Sequence, residues 1–491
     1  MSEPKEHTNY LGEPLLNNTI WKDAKKGISI TTNSENRWIE RMQLKLNFAE
    51  IGCLLLIAAF ISQLLIVNIV FASSNRELEP KEPQGFLIYL PSISKSCDKC
   101  YYVDSINGSD SNSGTIPEKP WRSLIPVQTT HFLPGTTISF KRGSRWNGGL
   151  HINFSGADGN PITYTSYGTG ERPIITNPGD PEHLTSAIKI YGSMIVVEDF
   201  LVQDTSDAGI KILTESSFDI IRNVEATNVG IGISVYGQHN LITQNYIHDV
   251  HMVKNTPGGT DDYGANGVLL ANSYNEVSFN RFDHCIAPSY DFGVDGGAVE
   301  FFDTADGNYI HNNWASNSDG FLEVSLGSTK NTIVAYNVSL NNRRFSVMHL
   351  TSTLPNNVVN FRIENNTIIE APSTKTNWAV FYFKGGSDLS TILLRNNILS
   401  IDGFDTVSNV TGFAHSHNLY NLLGRTKLGF LLEGTEKIAD PLFIDAGTQN
   451  FDLQPSSPAI DAGFDLRYSF DFRNYPIPVG TSPDLGAFEH Q

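Results

Sequence analysis

Positive charge is scarce in this chain. Its 491 residues include 34 lysines and arginines against 52 aspartates and glutamates, for a net charge of -18. No run of lysine or arginine occurs in the repeat region described below. A polyanion needs a local concentration of positive charge to bind. We therefore expect no nucleic-acid partner.

Cysteine is also scarce, with four residues in the whole chain. Cys53 falls in an apolar segment, Cys285 stands alone, and Cys97 and Cys100 form a CDKC sequence. Outside the cytoplasm this spacing predicts a small local disulfide. A metal site would need two further ligands, and a redox motif would need a thioredoxin-like context that is absent. We assign the pair no function.

Helical spacing is missing from the region that carries the clearest pattern. Seven short apolar strands begin at residues 209, 232, 267, 298, 321, 347 and 380, which places them 23 to 35 residues apart. Each is followed by a second strand that ends at an asparagine: Asn223, Asn245, Asn280, Asn313, Asn337, Asn366 and Asn397. A variable period of this size, built from strands and turns, is typical of a β-solenoid of about ten coils. The asparagines should bond the backbone of neighbouring coils and tolerate left-handed turns, which is a structural role.

The N-terminal hundred residues predict an anchor. Residues 1–45 are polar and basic and are expected in the cytoplasm, and residues 46–72 form a transmembrane segment because 51–72 is almost wholly apolar. A linker over 73–100 then leads to the domain at 101–491. Cleavage after Ala72 would instead give a secreted protein, although a basic region of this length is long for a removed signal peptide. We expect a cell-surface protein with a single membrane pass.

Both ends of the domain resemble a known superfamily. The opening YYVDSINGSDSNSGTIPEKPWRSL at 101–124, with ISFKRGSRWNGGL and GNPITYTSYGTGERPII after it, resembles right-handed parallel β-helix proteins of the pectate-lyase-like superfamily. The segment 440–491, with DPLFIDAGTQNFDLQPSSPAIDAG and PDLGAFEH, is similar to the C-terminal cap of many such bacterial extracellular proteins. The resemblance implies a carbohydrate polymer along the outside of the coil. It leaves the activity open, because the superfamily includes lyases, hydrolases, epimerases and binding proteins.

The recurring strands also predict which side chains point outward from the coil. Side chains alternate along a strand, and the apolar positions are expected to point inward: Val299, Phe301, Leu322, Val324, Met348, Leu350, Phe381 and Phe383. This phase predicts an outward column with one member per coil: Lys211, Ser234, Leu269, Glu300, Glu323, His349 and Tyr382. A parallel column two residues on would hold Tyr236, Phe302 and Lys384.

Two glutamates become neighbours in this column. Glu300 and Glu323 should stand side by side, because adjacent strands are about 4.8 Å apart, with His349 next to them. Like charges this close persist only if a proton, a cation or a base is shared. Asp295 and Asp319 precede the two glutamates at matched turns, in DGGAVE and DGFLE. We predict a catalytic group of Glu300, Glu323, Asp295, Asp319 and His349.

Two long loops point to the same place. The steps from Asn245 to Asn280 and from Asn280 to Asn313 are 35 and 33 residues, against 22 from Asn223 to Asn245. Long loops on a regular scaffold usually carry function. Residues 248–266 and 282–296 are therefore expected to wall a cleft over the outward column. The predicted substrate-binding residues are His251, Lys254, Asp262, Tyr263, Tyr290, Asp291, Tyr382 and Lys384.

Three functions can use this constellation. A retaining glycosidase would use Glu300 and Glu323 about 5 Å apart as nucleophile and acid/base, with Asp295 and Asp319 tuning their protonation, and would need no cofactor. A polysaccharide lyase would bind calcium at Asp295, Glu300, Asp319 and Glu323 and use Lys254, His349 or Lys384 as base. A non-catalytic surface protein would stack sugars on aromatic side chains: Trp146, Tyr290, Trp314 and Trp378.

The sequence therefore predicts an all-β chain, a right-handed parallel β-helix preceded by one N-terminal transmembrane helix. We rank hydrolysis of a polysaccharide first, calcium-dependent elimination second and binding alone third. The chain lacks a lyase motif, the paired aspartates of polygalacturonases and the DPHD sequence of alginate epimerases. We expect a monomer.

Overall fold

Parallel strands make up most of the part of the chain that the structure describes. A computed structural model describes residues 99–350, 357–370, 380–384, 389–402, 406–408, 412–424 and 426–491. Within these residues the helical elements are one short α-helix, α1 (Ile125–Thr129), and one 3-10 turn, Ala446–Thr448. The described strands, numbered β1 to β41, form three long sheets and three small ones.

Sheet 1 contains twelve described strands in the order given: β1 (Cys100–Val103), β2 (Thr137–Lys141), β5 (Ile162–Tyr167), β8 (Ile195–Glu198), β11 (Ile220–Arg222), β14 (Leu241–Thr243), β19 (Glu276–Ser278), β24 (Tyr309–His311), β27 (Ile333–Ala335), β31 (Phe361–Glu364), β34 (Ile392–Arg395) and β37 (Ala414–Ser416).

Sheet 2 carries the predicted outward column. Its described strands are, in order, β4 (Leu150–Ile152), β7 (Ile188–Ile190), β10 (Ala208–Ile212), β13 (Ile231–Val235), β18 (Asn266–Leu270), β23 (Gly297–Thr304), β26 (Leu322–Lys330), β29 (Ser346–His349), β33 (Phe381–Lys384) and β36 (Val407–Ser408). The short strand β30 (Val358–Val359) pairs with the end of β26.

Sheet 3 closes the cross-section of each coil. Its twelve described strands are, in order, β3 (Arg145–Asn147), β6 (Ile174–Asn177), β9 (Leu201–Thr205), β12 (Glu225–Thr227), β15 (Tyr246–His248), β20 (Arg281–Asp283), β25 (Trp314–Ser316), β28 (Val338–Leu340), β32 (Thr367–Glu370), β35 (Ile398–Asp402), β38 (Leu419–Leu423) and β39 (Lys437–Ile438).

Three antiparallel pairs stand apart from the coils. They are β16 (Met252–Lys254) with β17 (Tyr263–Gly264), β21 (Ala287–Ser289) with β22 (Gly293–Asp295), and β40 (Phe443–Asp445) with β41 (Asn450–Leu453).

Each coil contributes one strand to each long sheet, and every pairing within those sheets is parallel. Parallel connections of this kind are right-handed in nearly all proteins. The eight side chains predicted to point inward are all buried, and they join one continuous apolar core. The predicted phase of the strands is therefore confirmed, and so is the parallel β-helix.

Asparagines form a ladder at the turn between sheets 1 and 3. The backbone N–H and the side-chain amide of each donate to the side-chain oxygen of the next at 2.9 to 3.0 Å. The members are Asn245, Asn280, Asn313, Asn337, Asn366, Asn397 and Asn418. This confirms the bonding between coils that the sequence predicts.

Two details of the asparagine prediction are wrong. Val224, not Asn223, occupies the ladder position in its coil, and its N–H donates to Asn245 Oδ1 at 3.0 Å. The left-handed residue is the one before the ladder asparagine, as Asn223, Gln244 and Phe279 show with φ of 50°, 57° and 55°. The ladder residues themselves do not have positive φ.

The C-terminal segment runs along the side of the coil. Phe451, Phe472 and Phe488 pack with Trp314 and Val338 of sheet 3. Farther along the same sheet, Leu453 and Leu485 pack with Ile398 and Leu419. Residues 440–491 thus cover the outer face of the later strands of sheet 3.

The predicted membrane anchor, residues 46–72, lies outside the described residues, together with 1–45 and almost all of the linker. In the described part of the chain no helix is long and apolar enough to span a bilayer. Cys100 is disulfide-bonded, whereas Cys97 lies outside the described residues. Cys285 is a buried free thiol.

Candidate active site

Glu300 and Glu323 pair directly across adjacent strands of sheet 2. Glu300 of β23 is in register with Glu323 of β26. Their chain neighbours Val299 and Leu322 are fully buried in the core, so alternation turns both carboxyl groups outward. Both glutamates are partly exposed. The predicted adjacency is confirmed, at the strand spacing of about 4.8 Å.

His349 reaches this pair from a different position than predicted. The register places Val347, not His349, opposite Glu323, and His349 pairs with Lys384. A slip of two residues leaves a side chain on the same face of the sheet. The ring therefore still lies beside the pair, with Nε2 3.3 Å from Glu323 Oε1.

Glu300 is held by two donors that the sequence prediction missed. Asn266 Nδ2 donates to Oε2, and Ser325 Oγ donates to Oε1 at 2.7 Å. Ser325 lies where the pairing of β23 with β26 shifts between Phe301 and Asp303. Burial, followed by the charge of Glu323, raises the pKa of Glu300 to about 8. Both effects favour the protonated form of Glu300.

Asp295 flanks the pair at the end of β22. Its Oδ1 accepts the N–H of Gly296 at 2.8 Å. Burial raises the pKa of Asp295, while the Gly296 N–H and the nearby charge of Arg344 oppose that increase. The position agrees with the predicted site.

Asp319 does not take the predicted position in the site. Its fully buried carboxylate is bound by Arg343 Nη1 at 2.6 Å and by Arg344 Nη2. Two arginines that follow β28 on the next coil thus neutralise it. Asp319 fixes Arg344, and the side chain of Arg344 packs over Gly320, where an added Cβ would lie 3.5 Å from Arg344 Cγ. Sequence spacing gave no sign of this pairing.

The two long loops form hairpins that bind each other. Buried Asp262 accepts from Ser289 Oγ at 2.8 Å and from the N–H of Asp291 at 3.0 Å. Asp291 in turn accepts the N–H of Asp261 at 2.9 Å. Across the loops, Asn255 Nδ2 donates to the carbonyl oxygen of Pro288 at 2.9 Å. Asp262 therefore links the two hairpins.

Other predicted binding residues have separate surroundings. The ring nitrogens of His251 face the carbonyl oxygens of Met252 and Thr205 at 2.9 and 3.0 Å. Lys254 forms an ion pair with Asp261. Tyr263 and Tyr290 are exposed on the hairpins, and Tyr382 is partly exposed on sheet 2. The side chain of Lys384 lies outside the described residues.

Two of the predicted sugar-stacking residues are unavailable. Trp146 is buried in the core, and Trp314 packs against Phe451 with ring centroids 5.8 Å apart. Tyr290 is 67% exposed, whereas Trp378 lies outside the described residues. Stacking on the two buried rings is excluded.

One group of carboxylates in the described part of the chain could hold a cation. Ligand oxygens of Asp261, Asp262 and Asp291 lie within 4.8 Å of one another on the hairpins. Among the described residues, the four acids predicted to bind calcium do not come together in this way, and Asp319 is bound by Arg343 and Arg344.

Comparisons with known proteins agree with this architecture. No family model matches the chain. It is 31% identical over 153 residues to the uncharacterized protein YwoF of Bacillus subtilis, covering 30% of this chain. It is 35% identical over 85 residues to a lacto-N-biosidase of Bifidobacterium longum, covering 16% of this chain. The chain spans 29% and 5% of the lengths of these two curated relatives.

A solved structure shows the fold directly. Pectate lyase Pel9A matches with a TM-score of 0.56 at 18% identity, over 81% of this chain and 98% of that chain. The chain therefore has the right-handed parallel β-helix fold that the resemblance in its sequence implies.

Proposed function

We propose that this chain is a carbohydrate-active enzyme that hydrolyses glycosidic bonds with retention of configuration. The observation that carries the proposal is the register of Glu300 with Glu323. It places the two glutamates on adjacent strands, which are about 4.8 Å apart, and carboxyl groups at that spacing would match the roughly 5 to 5.5 Å of retaining glycosidases. The lacto-N-biosidase among its relatives supports the same class of substrate.

The two glutamates take different roles because their surroundings differ. Glu300 is the acid/base, since burial and the charge of Glu323 raise its pKa and favour its protonated form. Glu323 is the nucleophile, since the ring of His349 contacts its carboxyl group. Asn266 and Ser325 hold the Glu300 carboxyl group in position.

The reaction follows from these roles in two steps. A carboxylate oxygen of Glu323 bonds to the anomeric carbon as the glycosidic bond breaks, and the proton of Glu300 moves to the leaving oxygen. Glu300, now a carboxylate, then takes a proton from water. The resulting hydroxide attacks the anomeric carbon, the ester bond to Glu323 breaks, and the sugar leaves with its configuration retained.

Calcium-dependent elimination is the second candidate. The fold is shared with a pectate lyase, and Asp295, Glu300 and Glu323 could bind a cation through oxygen ligands. A base would remove the C5 proton of a uronate as the C4–O bond breaks, which leaves a C4–C5 double bond. Of the predicted bases, Lys254 forms an ion pair with Asp261, whereas His349 contacts Glu323.

One assay distinguishes hydrolysis, elimination and binding without catalysis. A panel of neutral and uronate-containing polysaccharides is incubated with the protein, with and without a chelator, and new reducing ends and near-ultraviolet absorbance are recorded. Hydrolysis predicts new reducing ends without absorbance and without an effect of the chelator. Absorbance that the chelator removes would favour elimination. No new ends with any glycan would contradict both and favour a binding protein.

A further inference from the structure

We propose that the site is a pocket that accepts the end of a glycan chain, so that the enzyme acts in the exo mode. This inference rests on the proposed function and concerns the walls around Glu300 and Glu323. Solvent reaches the outward face of sheet 2 at these two glutamates, and the face is covered on three sides of them.

The side toward the N-terminal coils is closed by the first hairpin. Leu269, one coil before Glu300 in the outward column, is only 5% exposed, and Ser234 in the coil before it is also buried. Val253 of β16 packs with Ile231 and Leu269 in an apolar cluster separate from the core. A ligand on Glu300 cannot continue along the coil axis past these side chains.

The side toward the C-terminal coils is closed at the next strand. Val347 stands opposite Glu323 in the outward column and is only 4% exposed. Along the outward column, Glu300 and Glu323 thus lie between two buried apolar side chains, Leu269 and Val347. A polymer lying along the coil would need both of those positions.

The starts of the strands close the third side. The second hairpin leads through Asp295 and Gly296 directly into β23, and Asp262 ties it to the first hairpin. Arg344 lies here as well, buried between Asp319 and the charge of Asp295.

On the fourth side, at the strand ends, the described residues leave the face open. Phe302 is partly exposed, and Asp303 and Thr304 are exposed. Thr304 pairs with Ser328 of β26, which is also partly exposed. A glycan can enter across the strands from this side, and its terminal unit then meets the hairpin wall. The chain would therefore lie across sheet 2 instead of along the coil.

Product lengths test this directly. The wild-type protein is given a length series of linear neutral oligosaccharides and their parent polysaccharides, and products are separated by size over time. An exo enzyme releases one product length from the first time point, and polymer viscosity falls slowly relative to the appearance of reducing ends. A mixture of lengths with early loss of viscosity would overturn the pocket while leaving hydrolysis in place. No products at all would contradict the proposed function itself.

Two bulky substitutions locate the entrance. Thr304→Trp narrows the open side and should lower kcat/KM for the longer oligosaccharides about tenfold. Lys189→Trp is the matched control, because Lys189 lies on the same outward face beyond the hairpin wall, in register with Lys211, and should leave kcat/KM unchanged. The reverse result, or equal losses, would show that the glycan runs along the coil. Because the product-length assay uses the wild type, it decides the question even if Thr304→Trp fails to fold.

Discussion

His349 contacts Glu323 although Val347, not His349, is its partner in the sheet. The ring Nε2 lies 3.3 Å from Glu323 Oε1, while the backbone register pairs Glu323 with Val347. On the neighbouring strand, the carboxyl group of Glu300 accepts hydrogen bonds from Asn266 and Ser325. Two identical side chains one strand apart therefore have different partners, which is the physical basis for giving them different roles.

Replacing either glutamate by glutamine should abolish turnover without unfolding the coil. Glu300→Gln removes the acid and Glu323→Gln removes the nucleophile, so each should lower kcat by several orders of magnitude. Activity is measured on the best substrate of the glycan panel, with circular dichroism as the check on folding. Glu276→Gln is the matched control, because Glu276 also contacts a histidine, His311 at 3.0 Å, but on sheet 1. Full activity in the Glu300→Gln, Glu323→Gln double variant would remove the site.

The pH dependence of kcat/KM should follow the protonation state of Glu300. Its pKa is raised from 4.5 to about 8 by burial and by Glu323, so kcat/KM should fall as pH rises through about 8 and the acid loses its proton. Calcium-dependent elimination would instead gain activity over this range, because its carboxylates must be ionised to bind the cation.

Stability should depend on the same proton. The folded chain keeps a proton on Glu300 that the unfolded chain loses near pH 4.5, so this carboxyl group stabilises the fold fully below that pH. The contribution is lost as pH rises to about 8. Melting temperatures between pH 5 and 9 should therefore decline more in the wild type than in Glu300→Gln. Parallel curves would mean that Glu300 is ionised throughout.

Breaking the link between the hairpins should loosen the wall and leave the coil intact. Asp262→Ala removes the acceptor for Ser289 Oγ, for the N–H of Asp291 and for that of Thr256. Hydrogen exchange should become faster at 252–264 and 287–295, with a small change in global stability. Asp261→Ala, which removes an exposed ion pair with Lys254, should have a much weaker effect. Uniform loss of protection would show that the hairpins are part of the cooperative unit.

The asparagine ladder allows a test of which residue holds the ladder position in a coil. Asn313 is fully buried and binds Asn280 and Asn337, so Asn313→Ala should cost about 2 to 4 kcal/mol through unsatisfied polar groups. Asn223 lies outside the ladder and binds Arg172 and Asp199 side chains. Asn223→Ala should therefore be milder in urea unfolding. Equal losses would contradict the assignment of Val224 to the ladder position.

Much of the fold could be predicted because a solenoid repeats one local rule. Alternation fixed which face Glu300 and Glu323 occupy, and equal strand positions made them neighbours. The same rule could not detect a slip of two residues at His349, because both registers leave the ring on one face. It also placed Asn223 one position off, since only the bonds between coils distinguish a ladder residue from the one before it.

Contacts between elements that are distant in the chain could not be predicted from the sequence pattern. The binding of Asp319 by Arg343 and Arg344 depends on how the following coil stacks, and the burial of Leu269 depends on a hairpin folding back over its strand. Both alter the site, because one removes an acid from it and the other closes its side.

The C-terminal segment changes how this solenoid can come apart. A stack in which each coil touches only its neighbours frays from its ends, one coil at a time. Here Trp314 of β25 and Leu419 of β38 are both covered by the segment that ends the chain. The last coil therefore cannot separate without first releasing a segment that also packs on coils near Glu300 and Glu323. Unfolding from this end should be all-or-none over that length, and the site is within the part that is protected.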